Sequence, residues 1–399
     1  MHIILYGDSV RSTTGYGHQL RWLGQMLQHQ GHTVEQVAIF PLPLAEGQIP
    51  PWLRDPGFSV YDQPGQTGIG GIHQRRGDII LSLTDDYRVL DWITHPPGIP
   101  WIRYTVYDGD PLPWPWQPLM GMSATVAASP YTGLVIRNRV PGWDPVVIPH
   151  AVDSTWFIPP SLEEKREAQQ RLSGQTSGWV VSYVGRGSSR KNPLLFFEMA
   201  QRLARDPAMH FIVRMPEYDE GDVDWLEAVD RFGLYGRVTW ITSANPMIGV
   251  DPSILRDVYW ASDMLLHPAA SEGFGLPLIE ARACGIPAIC SDFSAMTDWA
   301  GSQELVPPIG YIYQGPYQIR QAVPDTGAMV RKVREWSRNR AKYHAVQSKL
   351  AAQIQATAPE VVEAMWVQHW DQLVADAERA CRVPTFSAEW WDQKGKGAV

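Results

Sequence analysis

Short apolar runs rich in β-branched residues alternate with helix-like patterns along most of the chain, and this alternation constrains the fold more than any other feature. The run at 2–6 precedes a segment in which Leu20, Leu23 and Leu27 recur at helical spacing, and Gly31 ends that helix. Apolar strands separated by helices are typical of parallel sheets covered on both faces. The 399 residues contain two such sets, so we predict an α/β protein with two Rossmann-like domains.

The strand predictions fall on either side of a boundary near 150–160, where proline and small residues replace the strand and helix patterns. The predicted strands are 2–6, 33–40, 78–83, 101–107, 124–129, 145–149, 179–185, 210–215, 237–242, 263–268 and 287–291. The predicted helices lie around 192–205, 222–232, 252–261 and 275–284, and 324–380 is predicted to be helical throughout. We therefore expect an N-terminal Rossmann-like domain over 1–155, completed by 360–399, and a C-terminal one over 156–359. Ligands of such sheets bind outside the carboxyl ends of the strands, so functional side chains are expected there.

Composition and termini narrow the class of protein. The 34 basic and 42 acidic residues give a net charge of −8, which argues against a dedicated nucleic-acid coat. Three cysteines, Cys284, Cys290 and Cys381, match no metal-ligand spacing and indicate reduced intracellular thiols. The first residues enter a strand with no signal-peptide pattern, and no apolar run approaches the roughly 20 residues of a membrane span. We expect a cytoplasmic protein with no integral membrane segment.

The segment 267–292, HPAASEGFGLPLIEARACGIPAICSD, carries the strongest chemical signal. A predicted strand ends before a loop that holds Glu272, and Gly275 opens a helix that holds Glu280. The backbone N–H groups of 273–275 precede the helix N-terminus, which is a favourable seat for phosphate. The two carboxylates are able to accept hydrogen bonds from hydroxyls on either side of that anion, so a pocket for diphosphate, ribose and sugar fits this spacing.

This segment resembles the Glu, seven residues, Glu signature of retaining glycosyltransferases with the GT-B fold, in the large family 4 (glycosyl transferases group 1). The resemblance implies two Rossmann-like domains facing a cleft, with Glu280 binding the nucleotide ribose and Glu272 contacting the transferred sugar. It also implies a diphosphate-binding backbone that comprises Gly273, Phe274, Gly275 and Leu276. The alternative is that the segment binds no ligand and is only a helix N-terminus with two solvated glutamates.

The segment 182–193, SYVGRGSSRKNP, places cations directly after a predicted strand. A departing nucleoside diphosphate gains negative charge, so fixed cations here would stabilise the transition state. The segment is similar to the family's Gly-Arg loop followed by Lys, which implies a diphosphate role for Arg186 and Lys191, with Arg190 a weaker candidate. An exposed basic turn is the alternative. The pattern is neither a GxGxxG dinucleotide fingerprint nor a P-loop.

Two segments of the first domain are weaker candidates. Gly15 and Gly17 follow the first strand and would let the backbone approach a ligand closely, as the family's glycine-containing loop does near the sugar and diphosphate. A plain turn is the alternative. The triplet Asp108-Gly109-Asp110 matches the Asp-x-Asp metal motif of the other large glycosyltransferase fold, GT-A. Because the two cations of the second domain already offset the diphosphate charge, we predict no metal requirement.

In relatives an Asp-Gly at this first-domain strand end faces the cleft, which implies that Asp108 touches the acceptor or the transferred sugar as a hydrogen-bond acceptor or base. An Asx turn before Pro111 is the alternative, and the role of Asp110 stays open. His150 is interpreted as a hydrogen-bonded structural residue rather than a ligand contact. Arg214 either reaches the nucleotide or forms a surface salt bridge.

These observations favour a metal-independent retaining glycosyltransferase that uses a UDP-sugar or a GDP-sugar, with no further cofactor. The second domain would bind the donor and the first would bind the acceptor, which is a glycan, a lipid-linked sugar or another hydroxyl compound. A modified nucleic acid is a less favoured acceptor because of the acidic balance. The alternatives are a sugar-nucleotide epimerase on the same architecture and a non-catalytic sugar-nucleotide-binding protein.

Overall fold

A computed structural model of the chain describes residues 1–382, except 43, 45, 175–176, 217–223, 244–247 and 351–353. Positions 222–223 of a predicted helix and 383–399 of the predicted completing segment lie outside the described residues. The chain divides into two compact units. Unit 1 contains Met1–His150 and the described residues from Glu363, and unit 2 is Ala151–Val362.

Unit 1 is built on a single parallel sheet. Its strands are β1 (His2–Gly7), β2 (Thr33–Ala38), β3 (Ser59–Tyr61), β4 (Ile79–Leu83), β5 (Trp101–Thr105), β6 (Ala124–Ala127) and β7 (Val146–Val147). Its helices before the chain enters unit 2 are α1 (Gly15–His29), α2 (Pro51–Arg54), α3 (Gly68–His73), α4 (Pro118–Met122) and α5 (Pro130–Arg139). The strand order is β3-β2-β1-β4-β5-β6-β7, so the order reverses between β1 and β4. In a sheet of this kind the loops that follow those two strands open the ligand crevice.

Unit 2 has a second parallel sheet and a separate hairpin. Its strands are β8 (Trp179–Val184), β9 (Met209–Arg214), β10 (Val238–Ile241), β11 (Met264–His267), β12 (Ala288–Ser291), β13 (Leu305–Val306), β14 (Gly310–Gln314) and β15 (Ile319–Val323). Its helices are α6 (Leu162–Ser173), α7 (Pro193–Leu203), α8 (Trp225–Arg231), α9 (Pro252–Ala261), α10 (Leu276–Ala283), α11 (Met296–Trp299), α12 (Thr326–Arg338), α13 (Arg340–Gln347) and the start of α14 (Pro359–Arg382). The order β10-β9-β8-β11-β12-β13 reverses between β8 and β11. The loops after β8 and β11 are therefore the expected ligand loops of this unit.

The apolar strand runs form the cores of both sheets. Ile3, Ile4 and Leu5 of β1 are fully buried, because helices cover both faces of the sheet. In unit 2, Phe196 and Phe197 of α7 are also fully buried against the sheet. These two parallel, helix-covered sheets confirm the predicted α/β class with two Rossmann-like domains.

Helix α14 returns to unit 1 through aromatic contacts. Trp366 packs edge-on against Tyr104 of β5 with ring centroids 5.2 Å apart, and Trp370 lies 5.3 Å from the ring of His32. Burying large aromatic rings is a strong source of packing energy, so these contacts fix the helix to the unit 1 core.

Several elements differ from the predictions. Segment 324–380 is not helical throughout. Asn339 is non-helical between α12 and α13, and Ala358, before Pro359, takes the extended conformation that proline imposes on its predecessor. Helix α6 was not predicted, although Ser161 and Glu164 form the capping box that begins it. Strand β3 and the antiparallel pair β14–β15 were not predicted either, since β3 is only three residues long and the run Tyr311–Tyr313 is apolar without alternation.

Candidate functional site

The candidate site of unit 2 lies where the loops after β8 and β11 meet. The ammonium of Lys191, in the first loop, forms an ion pair with Oε1 of Glu272 in the second. Arg190 donates from Nη1 to the carbonyl oxygen of Ser271 at 2.5 Å. Asn192, with a left-handed φ of 52°, donates from its side chain to the carbonyl oxygen of Pro268 at 3.0 Å. Residues about eighty positions apart are thus joined at the point where the strand order reverses.

Glu272 is the centre of this cluster and only 3% of it is exposed. Its Oε1 lies 2.6 Å from Nε2 of His267, and its Oε2 lies 3.4 Å from Nη1 of Arg190. Its main chain is held as well, since its N–H donates to Oγ of Ser294 at 2.8 Å and its carbonyl accepts from the N–H of Ala295 at 3.1 Å. The glutamate is therefore fixed at both the carboxylate and the backbone.

The cations decide the ionisation of this buried carboxyl. Burial by itself raises the pKa of Glu272, but the charge of Lys191, the hydrogen bond from His267 and the charge of Arg190 together hold that pKa well below its ordinary value. The pKa of His267 is lowered, chiefly because the ring is buried. Glu272 is consequently an anion at neutral pH, and the imidazole beside it is neutral.

The start of α10 follows Glu272 directly. Gly275 is the N-cap with a φ of 93°, a conformation in which a side chain would be strained, and glycine has no side chain with which to cap this end. The first N–H groups of a helix have no acceptor inside the helix, so they are directed at whatever lies before it. Phe274 is buried against Trp299, with ring centroids 5.0 Å apart. The loop is therefore anchored by packing, while the backbone of Leu276 begins a helix end that favours an anion.

Glu280 lies one turn further along α10, in a different environment. It accepts a hydrogen bond from the hydroxyl of Tyr259 at 2.6 Å. Burial raises the pKa of Glu280 to about 7, against the opposing effects of this hydrogen bond and of the Arg214 charge. The Nε of Arg214 has no hydrogen-bond partner among the described residues. The two glutamates of the motif thus differ in charge state near neutral pH, one fully ionised and one close to its midpoint.

The cations of the β8 loop lie in different surroundings. Arg186 is exposed, and its carbonyl oxygen accepts a hydrogen bond from the hydroxyl of Tyr183 at 3.0 Å. Arg190, the weaker candidate, lies against Glu272 instead. The three-residue 3₁₀ helix Ser189–Lys191 places Arg190 and Lys191 on the same carboxylate, a local turn that the residue order alone does not reveal.

In unit 1 the glycine loop follows β1 and Asp108 follows β5, the two strands that flank β4. A Cβ on Gly17 would lie 2.6 Å from the carbonyl oxygen of Ser9, so the close approach at the start of α1 requires glycine. Gly15 is the exposed first residue of that helix. Tyr16, between the two glycines, donates from its hydroxyl to Asp85 at 2.8 Å.

Asp85 and its neighbours were not selected from the sequence. Burial and the charge of Asp108 raise the pKa of Asp85 to about 6, against the opposing charge of Arg88, which also pairs with Asp8 at 3.1 Å. Asp8 directly follows β1 and Asp85 is the second residue after β4, and that placement at the order reversal was the available signal. Three carboxyl groups, those of Asp8, Asp85 and Asp108, therefore interact with one another and with Arg88 here.

His150 belongs to the core of unit 1. It is 2% exposed, and its Nδ1 lies 2.7 Å from the hydroxyl of Tyr104. Burial lowers the pKa of His150 to about 3, so the ring is neutral. In the part of the chain that the structure describes, no group of three or more His, Cys, Asp or Glu side chains is arranged to hold a metal ion. None of the described helices combines the length and apolarity needed to cross a bilayer.

Residues 164–348 match the family model of the glycosyl transferases group 1, and this stretch contains the ion pair of Lys191 with Glu272 as well as Glu280. The family matched over this stretch is the one that the resemblance predicted. The D-inositol 3-phosphate glycosyltransferase of Segniliparus rotundus is 31% identical over 201 residues, which cover 47% of this chain and 42% of the relative. The O-antigen chain mannosyltransferase B of Escherichia coli is 29% identical over 165 residues, 41% of either chain. The matched part of the chain thus spans less than half the length of these relatives.

Solved structures share the architecture over nearly the whole chain. The Anabaena protein HepE, solved in complex with UDP and glucose, has a TM-score of 0.69 at 15% identity and covers 93% of this chain and 100% of its own. Sucrose-phosphate synthase from Thermosynechococcus elongatus has a TM-score of 0.70 at 18% identity, covering 94% and 100%. At such identities the likeness concerns the fold, which is GT-B. Neither the epimerase nor the non-catalytic alternative is favoured by these matches.

Proposed function

We propose that the protein transfers a sugar from a nucleoside-diphosphate sugar to an acceptor hydroxyl, with retention of anomeric configuration. The observation that carries this proposal is the contact of Lys191 with Glu272 beside the uncapped start of α10, at the order reversal of the unit 2 sheet. A cation, an ionised carboxylate and a helix N-terminus together match the charges of a diphosphate joined to a hydroxyl-rich sugar.

The diphosphate would bind the backbone of 273–276, where the helix N-terminus offers N–H groups and a favourable dipole. Arg186 and Lys191 would offset the charge that develops on the leaving nucleoside diphosphate, and for that reason we propose that transfer needs no metal and no other cofactor. Two groups then complete the donor site. Glu280 would accept hydrogen bonds from the ribose, and its carboxylate form is the one suited to that role.

Glu272 would contact the transferred sugar. Its Oε1 accepts from both Lys191 and His267, whereas the contact that Oε2 makes with Arg190 is long at 3.4 Å, so Oε2 is the oxygen that we expect to meet a sugar hydroxyl. We expect the sugar to be carried by UDP or GDP. HepE has been solved with UDP and with UDP-glucose, which supports the uridine donor by analogy of fold.

The acceptor would bind unit 1 at the loops after β1, β4 and β5. Asp108 would accept the proton or a hydrogen bond of the acceptor hydroxyl or the transferred sugar, and Gly15 and Gly17 would let the backbone approach closely. A glycan, a lipid-linked sugar or another hydroxyl compound fits this role better than a modified nucleic acid, since the crevice residues Asp8 and Asp85 are acidic. We propose the cytoplasm as the compartment, where cysteines such as the exposed Cys381 stay reduced.

The test is a transfer assay on the full chain with a matrix of UDP- and GDP-sugars and hydroxyl acceptors, read by mass spectrometry. NMR of the product then gives its anomeric configuration. We expect one nucleotide class to be used, with the donor's configuration kept, and Glu272→Gln to lose most of the turnover. An inverted product contradicts retention. Conversion of the donor without any acceptor supports the epimerase, and nucleotide binding without turnover across the matrix supports the non-catalytic protein.

A further inference from the structure

His267 is the last residue of β11, directly before the loop that carries Glu272. Its side chain is completely buried, and its Nε2 lies 2.6 Å from Oε1 of Glu272. Its Nδ1 has no hydrogen-bond partner among the described residues. A buried imidazole at the end of a central strand is held by its surroundings on all sides, so its one polar contact has a fixed geometry.

The proton of this contact can be assigned from the partners. The charged groups that face Glu272 are Lys191 and Arg190 from the 3₁₀ turn and His267 from β11, while Ser294 contacts only its backbone. An ionised carboxylate accepts hydrogen bonds and donates none, so the proton lies on Nε2 of His267. Because burial disfavours the charged ring, the imidazole is neutral and Nδ1 carries a lone pair.

The two donors to Oε1 differ in how firmly they are held. The side chain of Lys191 is long and rich in rotamers, and a bound diphosphate would compete with Glu272 for its ammonium. His267 has two side-chain torsions, is packed in the core and lies outside the reach of an exposed ligand. When the donor is bound, His267 is therefore the partner that keeps Oε1 in place.

We propose that His267 is a positioning residue: its neutral Nε2–H donor fixes Oε1 of Glu272 and so directs Oε2 toward the sugar of the donor. This inference rests on the proposed function. Productive geometry in such sites must be kept within about 0.5 Å, and supporting hydrogen bonds on rigid elements are the usual means. The imidazole itself needs no contact with the substrate for this role.

A matched pair of variants tests the role. His267→Gln keeps an amide donor near the position of Nε2, whereas His267→Asn moves the donor toward the position of Nδ1, with a similar polarity. We expect His267→Asn to lower kcat by about tenfold or more, with less than about threefold change in the donor KM, because misplacement of a group affects the chemical step more than binding. His267→Gln should keep most of the wild-type kcat. Both variants should bind UDP alone as the wild type does, since Glu272 is assigned to the sugar.

The pH dependence of kcat separates positioning from a structural role. Removing the donor weakens the stabilisation of the Glu272 carboxylate, so the acid limb of the profile should move to higher pH in His267→Asn and stay in place in His267→Gln. Equal losses in the two variants, at matched melting temperatures, would overturn the proposal, as would full activity of His267→Asn.

A measurement on the free protein keeps this test apart from the proposed function. Selective ¹⁵N labelling of histidine reports whether Nε2 or Nδ1 of His267 carries the proton, with His267→Gln used for assignment. We expect a protonated Nε2 and a bare Nδ1. A protonated Nδ1 contradicts the inference even if transfer is found. If the wild type transfers no sugar, the proposed function fails, and with it the role of His267.

Discussion

Replacing Lys191 by Met removes one charge that has two separate roles, and the two effects can be measured independently. In the free protein its ammonium neutralises Glu272, and the Lys191 side chain is only 13% exposed. Breaking a buried ion pair on one side costs about 3–5 kcal/mol, because the remaining charge is left uncompensated. Arg190 and His267 still contact Glu272, so we expect a smaller loss, of about 1–3 kcal/mol. Thermal and urea unfolding measure this effect.

In catalysis the same ammonium would stabilise the leaving diphosphate. Loss of one fixed transition-state contact costs about a hundredfold to a thousandfold, or about 2.7–4 kcal/mol, so kcat/KM for the donor should fall by at least about tenfold. Arg186→Met is the matched control, since Arg186 is exposed and should lose activity with little loss of stability. The double variant Lys191→Met with Glu272→Gln should recover stability without activity, because the uncompensated charge is gone. A loss below tenfold for Lys191→Met, with folding intact, would refute the assignment.

Three further predictions concern single groups. Affinity for UDP-glucose should rise from pH 6 to pH 8 as Glu280 ionises through its pKa of about 7, since the phosphates of this ligand do not titrate near neutrality. Glu280→Gln should abolish that pH dependence, and a wild-type affinity that is constant over this range contradicts the ribose role. Gly17→Ala should lower the melting temperature by several degrees, because the added Cβ would meet a backbone oxygen. Gly70→Ala should not lower it, because there is open space around Gly70. Equal melting temperatures of the two variants would show that the α1 loop tolerates a side chain. Arg103→Met should lower the free energy of unfolding by about 3–5 kcal/mol in urea, because the buried carboxylate of Asp86 loses its ion-pair partner. A change below about 1 kcal/mol would mean that the ion pair adds little to stability.

The main features of the fold could be predicted because apolar strands and helix-like patterns repeat with clear spacing. The exceptions are instructive. Strand β3 is too short to show a period, and the exposed run Tyr311–Tyr313 lacks the alternation that marks a half-buried strand. The break before α14 was signalled by Pro359, which restricts Ala358, but the surrounding helical pattern concealed it.

Residues of the candidate site could be predicted only where they are part of a sequence motif. Glu272 and Glu280 could be selected from their spacing, and the structure then shows how their environments differ. The contact of Arg190 depends on a 3₁₀ turn and on the left-handed Asn192, which a residue order does not specify. His267 looks like any buried residue at a strand end, since its partner lies across a loop that only the fold closes.

The central claim is that unit 2 binds a nucleoside-diphosphate sugar through its own side chains and backbone. Calorimetric titration of the full chain with UDP-, GDP- and ADP-sugars in the presence of EDTA tests it most directly, with Lys191→Met as the comparison. We expect micromolar binding of one nucleotide class that survives EDTA and weakens at least about tenfold in the variant. If binding disappears with EDTA, the diphosphate is bound instead through a metal held by Asp108 and Asp110. If none of the three classes of nucleotide sugar binds, the claim is contradicted.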